Sequence, residues 1–163
     1  MNSGRVVILN GASSSGKTTI AHAVRDCRGP GCAVVSIDQF YASIHPKQEN
    51  NWSLFYSLTE VMFASVAAFA GQGFDVVVDT VFERSECIEA GLRALTDVHV
   101  SFVGLTCPVD VLEGRERARE NRPIGLARDQ SGRIHDGCVY DLMLDTSILS
   151  VEECAGRILN LLA

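Results

Sequence analysis

Apolar residues along the chain fall into short aliphatic runs separated by stretches in which they recur every three or four positions. Val6 to Leu9, flanked by Arg5 and Asn10, is a run of the kind buried on both faces, and Gly11 closes it. Ile20, Val24 and Cys27 then follow at helical spacing until Gly29-Pro30-Gly31 stops the chain. Ala33 to Ile37 reads as a second strand, followed by Asp38, a Phe40-Tyr41 pair and a polar stretch from His45 to Asn51. A long helix is predicted from Trp52-Ser53, with Leu54, Leu58, Val61, Met62, Val66 and Phe69 on one stripe and Gly71 and Gly73 at its end. Phe74 to Asp79 is the third strand; Ile88, Leu92 and Leu95 mark a short helix, and Val98 to Leu105 is the fourth strand. Pro108 opens a charged helix to about Arg122, and Val139 to Leu144 gives the fifth strand. Ser150 with Glu153 then forms a capping box before the stripe Val151, Cys154, Ile158, Leu161 and Leu162.

Five strands apolar on both faces, alternating with helices, predict an α/β fold: a five-stranded parallel sheet between helix layers, with ligands at the carboxyl ends of the strands. The length of 163 residues corresponds to one domain spanning 1–163, and 47% hydrophobic residues suffice for a sizeable core. The net charge of −6 repels nucleic acid, so a phosphate-bearing ligand must be held by local donors rather than by the overall field. Val6 to Leu9 is too short for a signal-peptide core, and Val61 to Ala70 falls short of the roughly 20 residues that span a bilayer. Six cysteines without a C-x-x-C pair read as reduced thiols rather than a zinc site. The expected protein is cytoplasmic, with neither nucleic acid nor membrane as partner, and the pattern is compatible with a homo-oligomer.

Gly11-Ala-Ser-Ser-Ser-Gly16-Lys17-Thr18 fits G-x-x-x-x-G-K-[ST]. It sits between a predicted strand and a predicted helix, where successive loop N–H groups and the helix dipole converge on an anion. Gly11, Ala12, Ser13, Ser14, Ser15, Gly16, Lys17, Thr18 and the adjoining Thr19 are the candidate ATP contacts, with Lys17 on the β- and γ-phosphates and the Thr18 hydroxyl on Mg²⁺. Asp38 and Asp79 each follow a strand and so emerge at the same sheet edge as the loop. Asp79 is a candidate Mg²⁺ ligand, direct or through water, and Asp38 a candidate base for an attacking hydroxyl; either could instead cap the following helix.

Six of the chain's arginines, Arg115, Arg117, Arg119, Arg122, Arg128 and Arg133, lie in one segment, and Arg115, Arg119 and Arg122 share a helical face. Guanidinium groups there can neutralise charge on a transferring phosphoryl group, with Arg119 and Arg122 the preferred candidates. Interleaved Glu113, Glu116 and Glu120 offer ordinary surface pairs instead, such as Glu113 with Arg117. Between Gly29 and Glu83 the sole Lys or Arg is Lys47, whereas six aromatics lie between Phe40 and Phe63. Such a wall suits an uncharged or weakly charged small molecule bearing a hydroxyl, since an anionic acceptor normally demands paired arginines. Phe40, Tyr41 and Trp52, the aromatics least explained by the helix stripe, are the candidate acceptor contacts.

Ile8-Leu-Asn-Gly-Ala-Ser-Ser-Ser-Gly-Lys17, Ile37-Asp38, Val76-Val-Val-Asp79, Gly114-Arg-Glu-Arg-Ala-Arg-Glu-Asn-Arg122 and Tyr140-Asp-Leu-Met-Leu-Asp-Thr-Ser147, with Gly125, Ala127, Gln130 and His135 between the last two, resemble the chloramphenicol phosphotransferase family. The resemblance runs over essentially the whole chain, loosely from Ser43 to Tyr56. It implies a P-loop fold like that of nucleoside monophosphate kinases, ATP and Mg²⁺ as cofactors, and phosphorylation of a hydroxyl on an antibiotic, a resistance mechanism. By that resemblance Asp38 matches the catalytic base, Lys17 and Thr18 the phosphate-loop residues, and Arg115 to Arg133 a lid-like, nucleotide-contacting segment (about 114–136). Two other readings remain open: a metabolic kinase of a nucleoside or other hydroxylated metabolite, and an ATP-binding switch module. With two lysines in the chain, Lys17 and Lys47, the Asn-Lys-x-Asp guanine-recognition motif is absent.

Overall fold

The computed structural model describes residues 3–44, 52–82, 84–118 and 125–163. In chain order the elements are β1 (Val6–Gly11), α1 (Lys17–Arg28), β2 (Cys32–Ser36), α2 (Ile37–Ser43), α3 (Trp52–Gly71), β3 (Asp75–Thr80), α4 (Ser85–Ala94), β4 (Val100–Thr106), α5 (Val109–Arg117), α6 (Leu126–Ser131), β5 (Leu142–Asp145) and α7 (Val151–Leu159), with a final 3₁₀ turn at Asn160–Leu162. The strands form one parallel sheet, as the pattern predicts, and their order is β2-β3-β1-β4-β5.

The period-2 alternation of strand side chains divides the core into two layers. Val6 and Ile8 of β1 face Met62, Phe63 and Val66 of α3, together with Val76 and Val78 of β3. Val7 and Leu9 face Ile20 and Val24 of α1 and Cys154, Ala155 and Ile158 of α7. Helix α3 extends for 20 residues, twice the Val61–Ala70 stretch, and by length and composition alone could cross a bilayer. One face of it belongs to the core, with Met62, Phe63, Val66 and Ala70 fully buried, whereas Val61 and Phe69, which the sequence puts on the same stripe, stand exposed. A small third cluster, Ala12, Leu112, Ala127 and Ile134, lies beside the phosphate loop.

Besides shifts of one or two residues at the ends of β2, β3 and β4, three boundaries near the cleft differ from the sequence reading. Ile37 is not the end of β2 but the first residue of α2, because Ser36 and Gln39 form a capping box: the Asp38 amide donates to Ser36 Oγ (3.3 Å) and the Ser36 amide to Gln39 Oε1 (3.1 Å). Asp38 is therefore inside the first turn and is not its cap. The charged helix α5 stops at Arg117, and a separate short helix, α6, follows. Strand β5 starts at Leu142 rather than Val139, since Val139 is exposed and the Tyr140 ring is held outside the sheet by Asn10 and His135.

Asn10, fully buried at the end of β1, joins three parts of the cleft edge. Its Nδ2 donates to Ile134 O (2.8 Å) and Tyr140 Oη (2.7 Å), and its Oδ1 accepts from the Phe82 amide (2.9 Å). Asn10→Leu keeps the volume but strands a buried N–H and a buried C=O, each worth about 1–3 kcal/mol. Chemical denaturation of that variant should show a loss of roughly 2 kcal/mol or more, and an unchanged midpoint would contradict the network.

Candidate active site

The phosphate loop is shaped by two left-handed residues, Ser14 (φ 64°) and Gly16 (φ 94°). The second costs little, as glycine lacks a Cβ; the first is tolerated where the surrounding structure over-determines it. Gly11 is dictated by contact, since a Cβ there would lie 2.7 Å from Ser15 Oγ and 2.9 Å from Leu105 O. Helix α1 begins at Lys17, so the first amides of its N-terminal turn have no carbonyl one turn back. The buried hydroxyls of Ser13, Ser14 and Ser15 have no hydrogen-bond partner, so the loop carries three unsatisfied polar groups. Lys17 Nζ lies over the same loop, donating to Gly11 O (2.7 Å) and Ala12 O (3.0 Å).

Both sequence-selected carboxylates reach this cleft, which is lined by Ser13, Lys17, Thr18, Asp38, Asp79 and Gln130, among others. Asp79 is buried within β3, opposite Leu9 of β1 and Ser36 of β2, and caps no helix. Its Oδ2 accepts from Thr18 Oγ1 at 2.6 Å. A hydroxyl and a carboxylate in contact at a strand end are the hard oxygen donors that Mg²⁺ prefers, so the residues present fit that ion. Asp38 stands exposed at the mouth of the cleft on the first turn of α2.

The arginine segment separates into different environments. Arg115 reaches back to the loop: its guanidinium donates to Thr146 O (2.7 Å), Thr146 Oγ1 (3.1 Å) and Ser14 O (3.5 Å). It lines a second cavity, on the α7 side of the loop, with Thr19, Ile20, Leu149, Val151 and Cys154. Arg117 and Arg128 pair with Glu113 (4.0 and 2.5 Å), and Arg133 with Asp129 (2.6 Å). Arg119 and Arg122 lie outside the described residues. Glu116 corrects the surface-pair reading: it is 1% exposed and accepts from the Gly125 (2.7 Å) and Ala127 (3.0 Å) amides, holding the start of α6. Gln130 of α6 accepts from the Ser13 amide at 2.7 Å. Neither contact has a local signal, since the partners are far apart in sequence or sit in a loop without periodicity.

Burial depresses the His135 imidazole below its ordinary range and raises the Tyr140 phenol; the two groups meet at 2.8 Å behind the loop. Phe40 and Tyr41, the aromatics expected to meet an acceptor, pack half-buried against the α3 layer. Tyr41 contacts Phe55 (ring centroids 6.2 Å apart), and Phe55 meets Trp52 edge-on (5.7 Å). This wall is less poor in cations than the sequence suggests: the Arg84 guanidinium lies 3.9 Å over the Trp52 ring, and Arg93 of α4 donates to Tyr56 Oη at 2.8 Å.

The profile of the chloramphenicol phosphotransferase-like proteins matches residues 4–163. A Mycobacterium tuberculosis protein provisionally named an O-phosphotransferase is 25% identical over 97% of this chain and 82% of its own length. Among solved structures, a Mycobacterium tuberculosis APS kinase in complex with AMPPNP and APS superposes with a TM-score of 0.82 at 20% identity, each chain covered over 99%. A Janibacter sugar kinase gives 0.74 at 24% identity (98% of this chain, 94% of that one). A Deinococcus radiodurans tunicamycin resistance protein gives 0.72 at 20% identity (96% and 94%). These structures share the P-loop kinase fold. With the whole described sheet and the phosphate loop inside the matched region, the chain belongs to the chloramphenicol phosphotransferase-like family and is a phosphotransferase.

Proposed function

We propose that the protein transfers the γ-phosphoryl group of Mg·ATP to a hydroxyl of a small organic molecule. The observation that carries this reading is one cleft in which a phosphate loop, the Thr18–Asp79 pair and an exposed carboxylate, Asp38, come together. Bound Mg·ATP supplies the transferable group, and its metal neutralises phosphate charge. Lys17 and the α1 amides bind the phosphates and stabilise the charge that grows during transfer. Thr18 and Asp79 hold the metal, and Asp38 takes the acceptor's hydroxyl proton. Arg115 and Thr19 would flank the nucleotide, and the cavity lined by Ile20, Leu149 and Val151 would hold its base. Arg119 and Arg122 would neutralise the transferring group from the lid side.

The acceptor rests against Phe40, Tyr41 and Trp52. Arg84 is engaged by the Trp52 ring and Arg93 by Tyr56 and Glu60, rather than standing as a pair for a phosphorylated acceptor, so the reading keeps an uncharged or weakly charged hydroxyl compound. An antibiotic alcohol, with chloramphenicol first in line from the family, is the proposed substrate class, and the cytoplasm, where ATP is plentiful, the proposed site of action. A kinase of neutral metabolites would differ in acceptor and not in chemistry.

Lys17→Ala should lower acceptor phosphorylation by roughly 10²–10³-fold with little change in melting temperature, because it removes one charge-stabilising donor. Asp38→Asn keeps volume but not basicity; ATP affinity should stay within a few-fold while transfer falls by roughly 10²-fold or more. Near-intact transfer in Asp38→Asn would remove it as the base. Asp79→Asn should move the Mg²⁺ concentration needed for half-maximal rate upward, and an unchanged Mg²⁺ dependence would detach it from the metal.

A further inference from the structure

The Ser13 amide belongs to the phosphate loop, yet it donates to a side chain: Gln130 Oε1 accepts from it at 2.7 Å. That bond spans 117 residues and ties the loop to α6, an element the phosphate-loop motif does not include. Gln130 is 5% exposed and lines the cleft. Its own backbone carbonyl accepts from the Arg133 and Ile134 amides (3.0 and 3.1 Å), so the same residue also ends α6.

Helix α6 has little freedom to carry Gln130 away. Glu116 holds its N-terminal amides, Asn10 holds Ile134 O, and Ala127 and Ile134 are fully buried against Ala12 and Leu112. Withdrawing Gln130 would open that cluster and strand a buried amide. The geometry therefore favours a fixed clamp over a plug that leaves when phosphate arrives.

We propose that Gln130 is a positioning residue of the nucleotide site. By taking the Ser13 amide it removes that donor from the phosphate-binding set and holds the Ser14 and Gly16 left-handed turns in the shape that presents the remaining amides to phosphate. This rests on the reading of the loop as a nucleotide site. It assigns Ser13 to the loop's architecture rather than to direct amide contact with the nucleotide, and it makes α6 part of the phosphate-binding machinery.

Gln130→Met tests this, being unbranched and of similar length but without an acceptor. Calorimetric titration with AMPPNP should show about tenfold weaker binding than wild type, whereas adenosine, which lacks phosphates, should bind within twofold. Equal AMPPNP affinity in the folded variant, or tighter binding as expected of a displaced plug, would overturn the proposal. So would equal losses for AMPPNP and adenosine, the mark of general loosening. If Gln130→Met does not fold, Gln130→Asn, too short to reach Ser13, carries the same expectations. A wild-type protein that binds adenosine but not AMPPNP, or neither, overturns the nucleotide reading itself and the proposal with it.

Discussion

Strand β1 hydrogen-bonds to β3 on one side and β4 on the other, and its register against β3 sets Leu9 opposite Asp79. Strand β3 in turn sets Asp79 opposite Ser36 of β2. Because all three strands run the same way, the loop after β1, the carboxylate of β3 and the helix capped by Ser36 arrive at one edge of the sheet. A one-residue slip in this pairing would turn Asp79 to the opposite face and separate it from Thr18. Burial of β1 on both faces resists such a slip, since every apolar residue of the strand would exchange one core layer for the other.

Anion binding in a chain of net charge −6 has to be a local matter, and the local means are visible. The loop offers backbone N–H groups, three buried hydroxyls and one lysine, and Arg115 reinforces its outer side. Asp79 adds negative charge against that cluster and holds the Thr18 hydroxyl, a pair of hard oxygen donors that would suit a divalent cation. The cavities on the two sides of the loop then have distinct character: one carries Asp38, Asp79 and Lys17, the other is lined by Ile20, Leu149 and Val151.

The strands, the phosphate loop and the two carboxylates were legible in the sequence because each leaves a local mark: an aliphatic run, a fixed spacing, an acid after a run. Helix α2 also left one, the Ser36–Gln39 spacing of a capping box, hidden beneath an apolar run that continued through Ile37. Other parts of the site were not legible for a physical reason. Glu116 in a helix rich in arginine looks like a surface acid until α6 folds over it, and Gln130 acquires its partner from across the chain. Arg84 lay outside a window whose limits were set by sequence and not by space. In each case the partner, an amide or a ring, comes from another element of the chain.

Phosphoryl transfer to an alcohol in this cleft can be read from its products. Purified protein, Mg·ATP and a panel of hydroxylated compounds headed by chloramphenicol would be incubated together and followed by mass spectrometry. The expected result is an acceptor gaining a single phosphoryl group, with ADP formed in equal amount and only when that acceptor is present. ATP turnover that is identical with and without every acceptor, and that yields inorganic phosphate alone, would contradict it and leave an ATP-hydrolysing module in place of a kinase.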